Sequence, residues 1–102
     1  MKLYIDSRKR EKIIISIFDS GVLLVSKETE SNSSSETILS LINLALKENS
    51  VSLKSIKEID VETGPGSYTG TRLGVAVANA LSFSLLIPVN KKIISKLEAP
   101  EY

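Results

Sequence analysis

Hydrophobic and polar positions along this chain change period several times, and each change marks an element. Lys2 to Asp6 has the brevity and composition of a strand, and Ser7-Arg8-Lys9-Arg10-Glu11 is a polar break. Lys12 to Phe18 resumes with Ile13-Ile14-Ile15 and then Ile17. A continuous apolar run of that length predicts a strand buried on both faces. Asp19-Ser20-Gly21 predicts a hairpin connection, with glycine placed for positive φ, and Val22 to Ser26 is the third strand. Three strands joined by short turns form an antiparallel meander.

From Glu28 to Ser35 the chain is rich in Ser, Asn and Glu, which predicts a connector. A cap at Ser33, Ser34 or Ser35, with a glutamate in the first turn, starts a helix that runs to about Glu48. Ile38, Leu41, Ile42, Ala45 and Leu46 form one stripe at helical spacing. Leu39 and Leu44 lie off that stripe, so this helix needs a second apolar neighbour. Asn49 to Ser55 turns the chain back, and Ile56 to Glu62 is a fourth strand. Because it follows a helix crossover, it is expected to pair in parallel with the first strand. A second helix follows from about Gly70 to Leu85, where Gly74, Ala76, Ala78 and Ala80 permit close approach. Ile87 to Asn90 reads as a last short strand, with Pro88 tolerable at its end. Lys91 to Tyr102 is a charged tail with a helical turn expected around Ser95 to Ala99. The order βββαβαβ predicts an α/β fold, a mixed sheet with helices packed on it. It is the half-module of the ribonuclease-H-like, actin-like ATPase fold.

Composition narrows the chemistry. At 102 residues, with 42% hydrophobic and 25% charged positions, one domain is expected. A net charge of +1 provides no global field toward nucleic acid or membrane. With no cysteine and no histidine, there is no disulfide, thiol nucleophile, usual zinc site or histidine base. Neither a signal peptide nor a spanning run is read, so a cytoplasmic location is expected. The basic cluster Arg8, Lys9, Arg10, Lys12 has two readings, contact with RNA phosphates or a solvated hairpin tip that discourages edge pairing. Asp6, Asp19, Asp60 and Glu62 are spread along strand ends with no shared partner evident.

The densest signal is VETGPGSYTGTRLGVAVANA, from Val61 to Ala80. Gly64-Pro65-Gly66 reads as a forced turn after a strand. Ser67 and Thr69 then cap a helix beginning near Gly70. Exposed amides at such a helix start can hold phosphate, so a phosphate- or nucleotide-binding loop over Gly64–Gly70 is one reading. The spacing fits neither usual motif. No lysine precedes the hydroxyl residue, Arg72 lies inside the helix, and Gly70 comes four residues after Gly66. On the other reading, the glycines make a tight turn and let the helix lie close to its neighbours.

GPGSYTGTRLGVAVANALSFSLLIPV, from Gly64 to Val89, resembles the TsaB (YeaZ) signature, commonly written GPGSFTGLRIGVATAKGLA. Leu3-Tyr4-Ile5-Asp6-Ser7 resembles that family's opening LALDTS, and Ile93-Ile94-Ser95-Lys96-Leu97-Glu98 its VSSLEAL segment. The resemblance also implies a short helical turn over Leu53 to Lys57, and the same fold as the element order. Family members carry two such modules, and residues 1–102 correspond to the N-terminal one. In the actin-like ATPases an aspartate ending strand one helps hold the metal–nucleotide complex, with a glycine-bearing turn after it. Here Asp6 and Ser7 are followed by Arg8-Lys9-Arg10, with no glycine. The resemblance implies a non-catalytic subunit of tRNA threonylcarbamoyladenosine synthesis. It would pair with the transferase TsaD, joined by the ATPase TsaE, through its two N-terminal-lobe helices, and form a homodimer alone. ATP and magnesium would bind elsewhere in that complex, and tRNA contact would be indirect. Candidate partner contacts are Leu39, Ile42, Leu46, Leu73, Val77 and Leu81. The motif loop is Gly64, Pro65, Gly66, Ser67, Thr69, Gly70 and Arg72.

Overall fold

The computed structural model describes residues 1–9, 11–30 and 34–90. Strands β1 (Lys2–Lys9), β2 (Lys12–Asp19) and β3 (Val22–Thr29) precede helix α1 (Ser35–Glu48), a 3₁₀ turn at Leu53–Ser55, β4 (Glu58–Val61) and helix α2 (Tyr68–Leu85). The sheet order is β3-β2-β1-β4. β2 runs antiparallel to both β1 and β3, and β4 pairs with β1 in parallel, Leu3 opposite Ile59 and Ile5 opposite Val61. The meander and the parallel return are as the order of elements predicts. The charged tail and its helical turn lie outside the described residues.

One face of the sheet makes the core. Leu3 and Ile5 of β1, Ile13, Ile15 and Ile17 of β2, and Ile59 and Val61 of β4 are buried on it. α1 packs over β2 and β3 with Ile38, Ile42, Ala45 and Leu46, while α2 covers β1 and β4 with Val75, Val77 and Ala78. The alternation corrects the expectation that β2 is buried on both faces. Ile14 and Phe18 point the other way and are only half-buried, because both helices lie on one side.

The ends of the elements follow from hydrogen bonding. β1 passes through the expected polar break to Lys9, because Ser7 is buried and its hydroxyl donates to the Gly70 carbonyl at 2.7 Å. The β2–β3 turn has Ser20 at φ 52° and Gly21 at φ 82°, two left-handed residues as a tight two-residue hairpin requires. Ser34 caps α1, accepting the Thr37 N–H at 3.1 Å. Ser67 caps α2, accepting the Gly70 N–H at 3.3 Å, so that helix starts at Tyr68, two residues before the expected point.

The expected last strand reduces to a single bridge of Val89 to Ile59. Proline at 88 supplies no N–H, so the ladder uses the Pro88 carbonyl and the Asn90 N–H on either side of Ile59. Asn90 then substitutes its side-chain amide for a strand. Its Oδ1 accepts the Val61 N–H at 2.8 Å and its Nδ2 donates to the Val61 carbonyl at 3.0 Å.

Candidate functional site

Two places combine the singled-out residues. The first is the motif loop where β4 gives way to α2. Gly64 takes φ 125°, a conformation open to glycine alone, so the proline-forced turn is present. Gly66 has no positive φ, and its need is space. A Cβ there would come 2.6 Å from Arg8 Cβ and 2.9 Å from the Arg8 carbonyl oxygen. Ser67 N–H donates to that same carbonyl at 2.7 Å. Gly70 and Gly74 continue the pattern along α2. Gly70 accepts from Ser7, and a Cβ on Gly74 would come 2.1 Å from Ser7 Oγ. The glycines of the motif thus let a loop and a helix lie directly on β1. Pro65 and Thr69 are exposed, as is Arg72 on the outer side of α2.

Beside this loop, at the carboxyl ends of β1 and β4, four side chains gather. Arg8 donates through Nε to Asp6 Oδ1 and through Nη2 to Asp6 Oδ2, each at 3.1 Å, and Nη2 lies 3.7 Å from Glu62 Oε2. Tyr4 donates its hydroxyl to Glu62 Oε2 at 2.8 Å, with Asp6 Oδ2 at 3.4 Å. Asp6 and Glu62 therefore share partners, which corrects the reading of isolated strand-end carboxylates. The parallel register, Ile5 opposite Val61, brings the next residues, Asp6 and Glu62, side by side, although they are distant in sequence. Arg8 also leaves the basic hairpin cluster, its charge spent on these carboxylates, and Lys12 pairs with Glu28 at 3.5 Å.

Burial alone would raise the Asp6 pKa, but the Arg8 hydrogen bonds and charge outweigh it and hold the carboxyl below its ordinary value. Burial, then the hydrogen bond to Glu62 and the neighbouring carboxylates, pushes the Tyr4 phenol well above its ordinary range. A polar cleft of about 360 Å³ opens beside the cluster, lined by Tyr4, Asp60, Val61, Glu62, Thr63 and Asn90. Asp60 is tied to Lys2 at 3.0 Å. Among the described residues no group of three or more acidic, histidine or cysteine side chains gathers to hold a metal ion.

The second place is the outer seam between the helices. An apolar groove of about 230 Å³ is lined by Ser35, Leu39, Ala76, Val77, Ala80 and Leu81. Ala76 connects it to a further hollow of about 280 Å³ bounded by Thr69, Arg72 and Leu73. Of the candidate partner contacts, Leu39 is 42% exposed, Leu81 is half-buried at the groove and Leu73 half-buried at the adjoining hollow. Val77 is buried and forms its floor. Ile42 and Leu46 turn inward, at 2% and 6% exposure, because they belong to the stripe of α1 that meets the sheet. The off-stripe leucines, Leu39 and Leu44 (45% exposed), are the ones presented outward. Ser35, Ala76 and Ala80 are the groove residues missing from the candidate contacts, the two alanines one turn apart on α2. The small size of Ala76 and Ala80 marked them for close approach.

Sheet order and one-sided helices give a module with the actin-like ATPase fold, and a polar cleft lies at the carboxyl ends of its parallel strands. Solved structures agree. The chain superposes on YeaZ from Pseudomonas aeruginosa with a TM-score of 0.79 and 26% identity, over 86% of this chain and 42% of that one. A Bacteroides thetaiotaomicron protein described as having an actin-like ATPase fold and unknown function shares the fold alone, at TM-score 0.56 and 18% identity over 86% and 31% of the two chains. Residues 25–99 match the family TsaD, tRNA N6-adenosine threonylcarbamoyltransferase, and the chain belongs to this family, on its TsaB (YeaZ) side. The tRNA threonylcarbamoyladenosine biosynthesis protein TsaB of Buchnera aphidicola (subspecies Baizongia pistaciae) is 43% identical over 51 residues, 50% of this chain and 23% of the relative. TsaB of Bacillus subtilis is 47% identical over 45 residues, 44% of this chain and 19% of the relative. The chain thus matches a quarter or less of these curated relatives and about two fifths of the solved YeaZ chain. Among the described residues no helix is long and apolar enough to cross a membrane.

Proposed function

We propose that this chain is a non-catalytic scaffold subunit in tRNA threonylcarbamoyladenosine synthesis, and that it binds a TsaD-type transferase subunit through the groove between α1 and α2. The observation that carries this reading is the apolar seam of Leu39, Ala76, Ala80 and Leu81 over the Val77 floor, on the outer side of both helices. A partner helix laid into it would bury Leu39, whose exposure the isolated fold leaves uncompensated. The same groove seats a second copy of this chain when no partner is present.

The chemistry of the described residues supports a binding role. Ser67, the hydroxyl of the motif, caps α2, and with no histidine in the chain it has no imidazole base to activate it. Asp6 and Glu62 are engaged by Arg8 and Tyr4, and Asp60 by Lys2. The loop amides of Ser67 and Gly70 are satisfied by Arg8 and by the cap, which favours packing over phosphate binding for the Gly64–Gly70 segment.

The test is co-elution of this chain with a TsaD-type subunit, with and without ATP and magnesium. Association expected from the native chain should be lost in Ala76→Arg. No association under any nucleotide condition overturns the reading. Heat on titration of the isolated chain with ATP and magnesium would favour the nucleotide-loop alternative instead.

A further inference from the structure

Arg8 grips the connection from β4 to α2 at both of its ends. Its guanidinium forks onto both oxygens of Asp6 and reaches Glu62, where the chain leaves the sheet. Its carbonyl accepts the N–H of Ser67, where the chain enters the helix. Between these two holds lie Thr63, Gly64, Pro65 and Gly66, and Gly66 sits directly against Arg8 Cβ. Tyr4, on the same face of β1 as Asp6 and Arg8, bonds Glu62. Past Gly70 the helix is fastened differently, by the Ser7 hydroxyl and the close seat of Gly74 on β1.

These contacts divide the region in two. β1 as far as Ser7 and the body of α2 are joined by buried packing. The strap from Thr63 to Gly66 carries no buried side chain. Regions with few buried apolar contacts open locally, with free energies below that of global unfolding. The Arg8 guanidinium, fixed on β1 by its charge-assisted fork on Asp6 and reaching Glu62 at 3.7 Å, is the charged contact able to set that local equilibrium.

We propose that Arg8 is a two-ended latch on this strap. Seated on Asp6 and Glu62, it holds residues 63–69 in place and fixes the Thr69 end of the helix groove. Unseated, residues 63–69 open together as one local unit while the rest of α2 stays on the sheet. This inference does not depend on the scaffold reading, because the strap's opening is a property of the isolated chain.

Hydrogen exchange on the whole chain at neutral pH tests it. Arg8→Ala should speed amide exchange across residues 63–69 by about tenfold or more, with residues 13–17 and 38–46 unchanged. Arg8→Lys should recover part of the protection, since one ammonium can face Asp6 or Glu62 but lacks the fork. Native-like protection of 63–69 in Arg8→Ala, or acceleration spread evenly over the sheet, overturns the proposal. If Arg8→Ala fails to fold, Glu62→Gln decides, because it leaves the Arg8–Asp6 fork in place. Faster exchange confined to the strap supports the latch, and unchanged exchange overturns it.

Discussion

Ser7 and Gly74 meet in the tightest fit between β1 and α2. A methyl group added at Gly74 would come 2.1 Å from Ser7 Oγ and 3.2 Å from Ser7 Cβ, and Ser7 is fully buried with its hydroxyl held by the Gly70 carbonyl. Gly74→Ala should therefore cost about 1–3 kcal/mol despite the gain in helix propensity, read as a lower urea midpoint at unchanged slope. Ser7→Ala added to it should return part of that loss, since the nearer obstacle is the hydroxyl oxygen. An additive double mutant would show that the two residues do not press on each other. Asp6 gives a second residue-level expectation. Its folded pKa is lowered, so its contribution is fully present above the unfolded carboxylate value, about 3.9, and is lost as pH falls through the lower folded value. Tm should thus fall more steeply with acid below about pH 4 in the native chain than in Asp6→Asn. Equal slopes would remove Asp6 from the acid response.

At the scale of elements, the two helix ends are finished unequally. α1 begins on a sound cap, and Ser34→Ala should lower stability by about 1 kcal/mol. α2 ends with Leu86 at φ 58° and ψ 47°, a left-handed cap filled by a branched residue that is 74% exposed. Leu86→Gly keeps the N–H bond to the Ser82 carbonyl and removes the strain, and should raise Tm by about 4 °C. An unchanged or lower Tm would mean that the leucine side chain contributes packing that its exposure does not suggest. The elements themselves were legible in the sequence where one signal dominated. The apolar stripe placed α1, the serines its start, and Ser20-Gly21 the hairpin. What was not legible depended on pairs distant in sequence. Whether Ser7 broke β1 or stayed in it turned on the Gly70 carbonyl, 63 residues on. The last strand became one bridge because proline removed a donor and the Asn90 amide took over the pairing. The Tyr4–Asp6–Arg8–Glu62 cluster needed the parallel register, which no local period encodes. In the partner helices, spacing separated the outward Leu39 from its stripe. It could not say that Ile42 and Leu46 were wholly spent on the sheet.

For the whole molecule, the seam between α1 and α2 separates binding from stability, because its rim and its floor belong to different layers. Leu39 and Ala76 lie on the exposed side, whereas Ile42 and Leu46 complete the core. Leu39→Glu and Ala76→Arg place a charge where a partner helix would sit. Each should leave the unfolding free energy within about 0.5 kcal/mol of native. Ile42→Ala opens a cavity at a site with 2% exposure and should cost about 2–5 kcal/mol. If the seam is the surface by which copies of this chain or a TsaD-type subunit associate, sedimentation over a concentration series should show native self-association. The two charged variants should remain monomeric at the same concentrations while keeping their Tm. Ile42→Ala should lower Tm and still associate wherever it is folded. A native chain that stays monomeric throughout would remove self-association from the proposal. Charged variants that associate as well as native would move the interface elsewhere, toward the edge of β3, where Val22, Leu23 and Leu24 are also exposed.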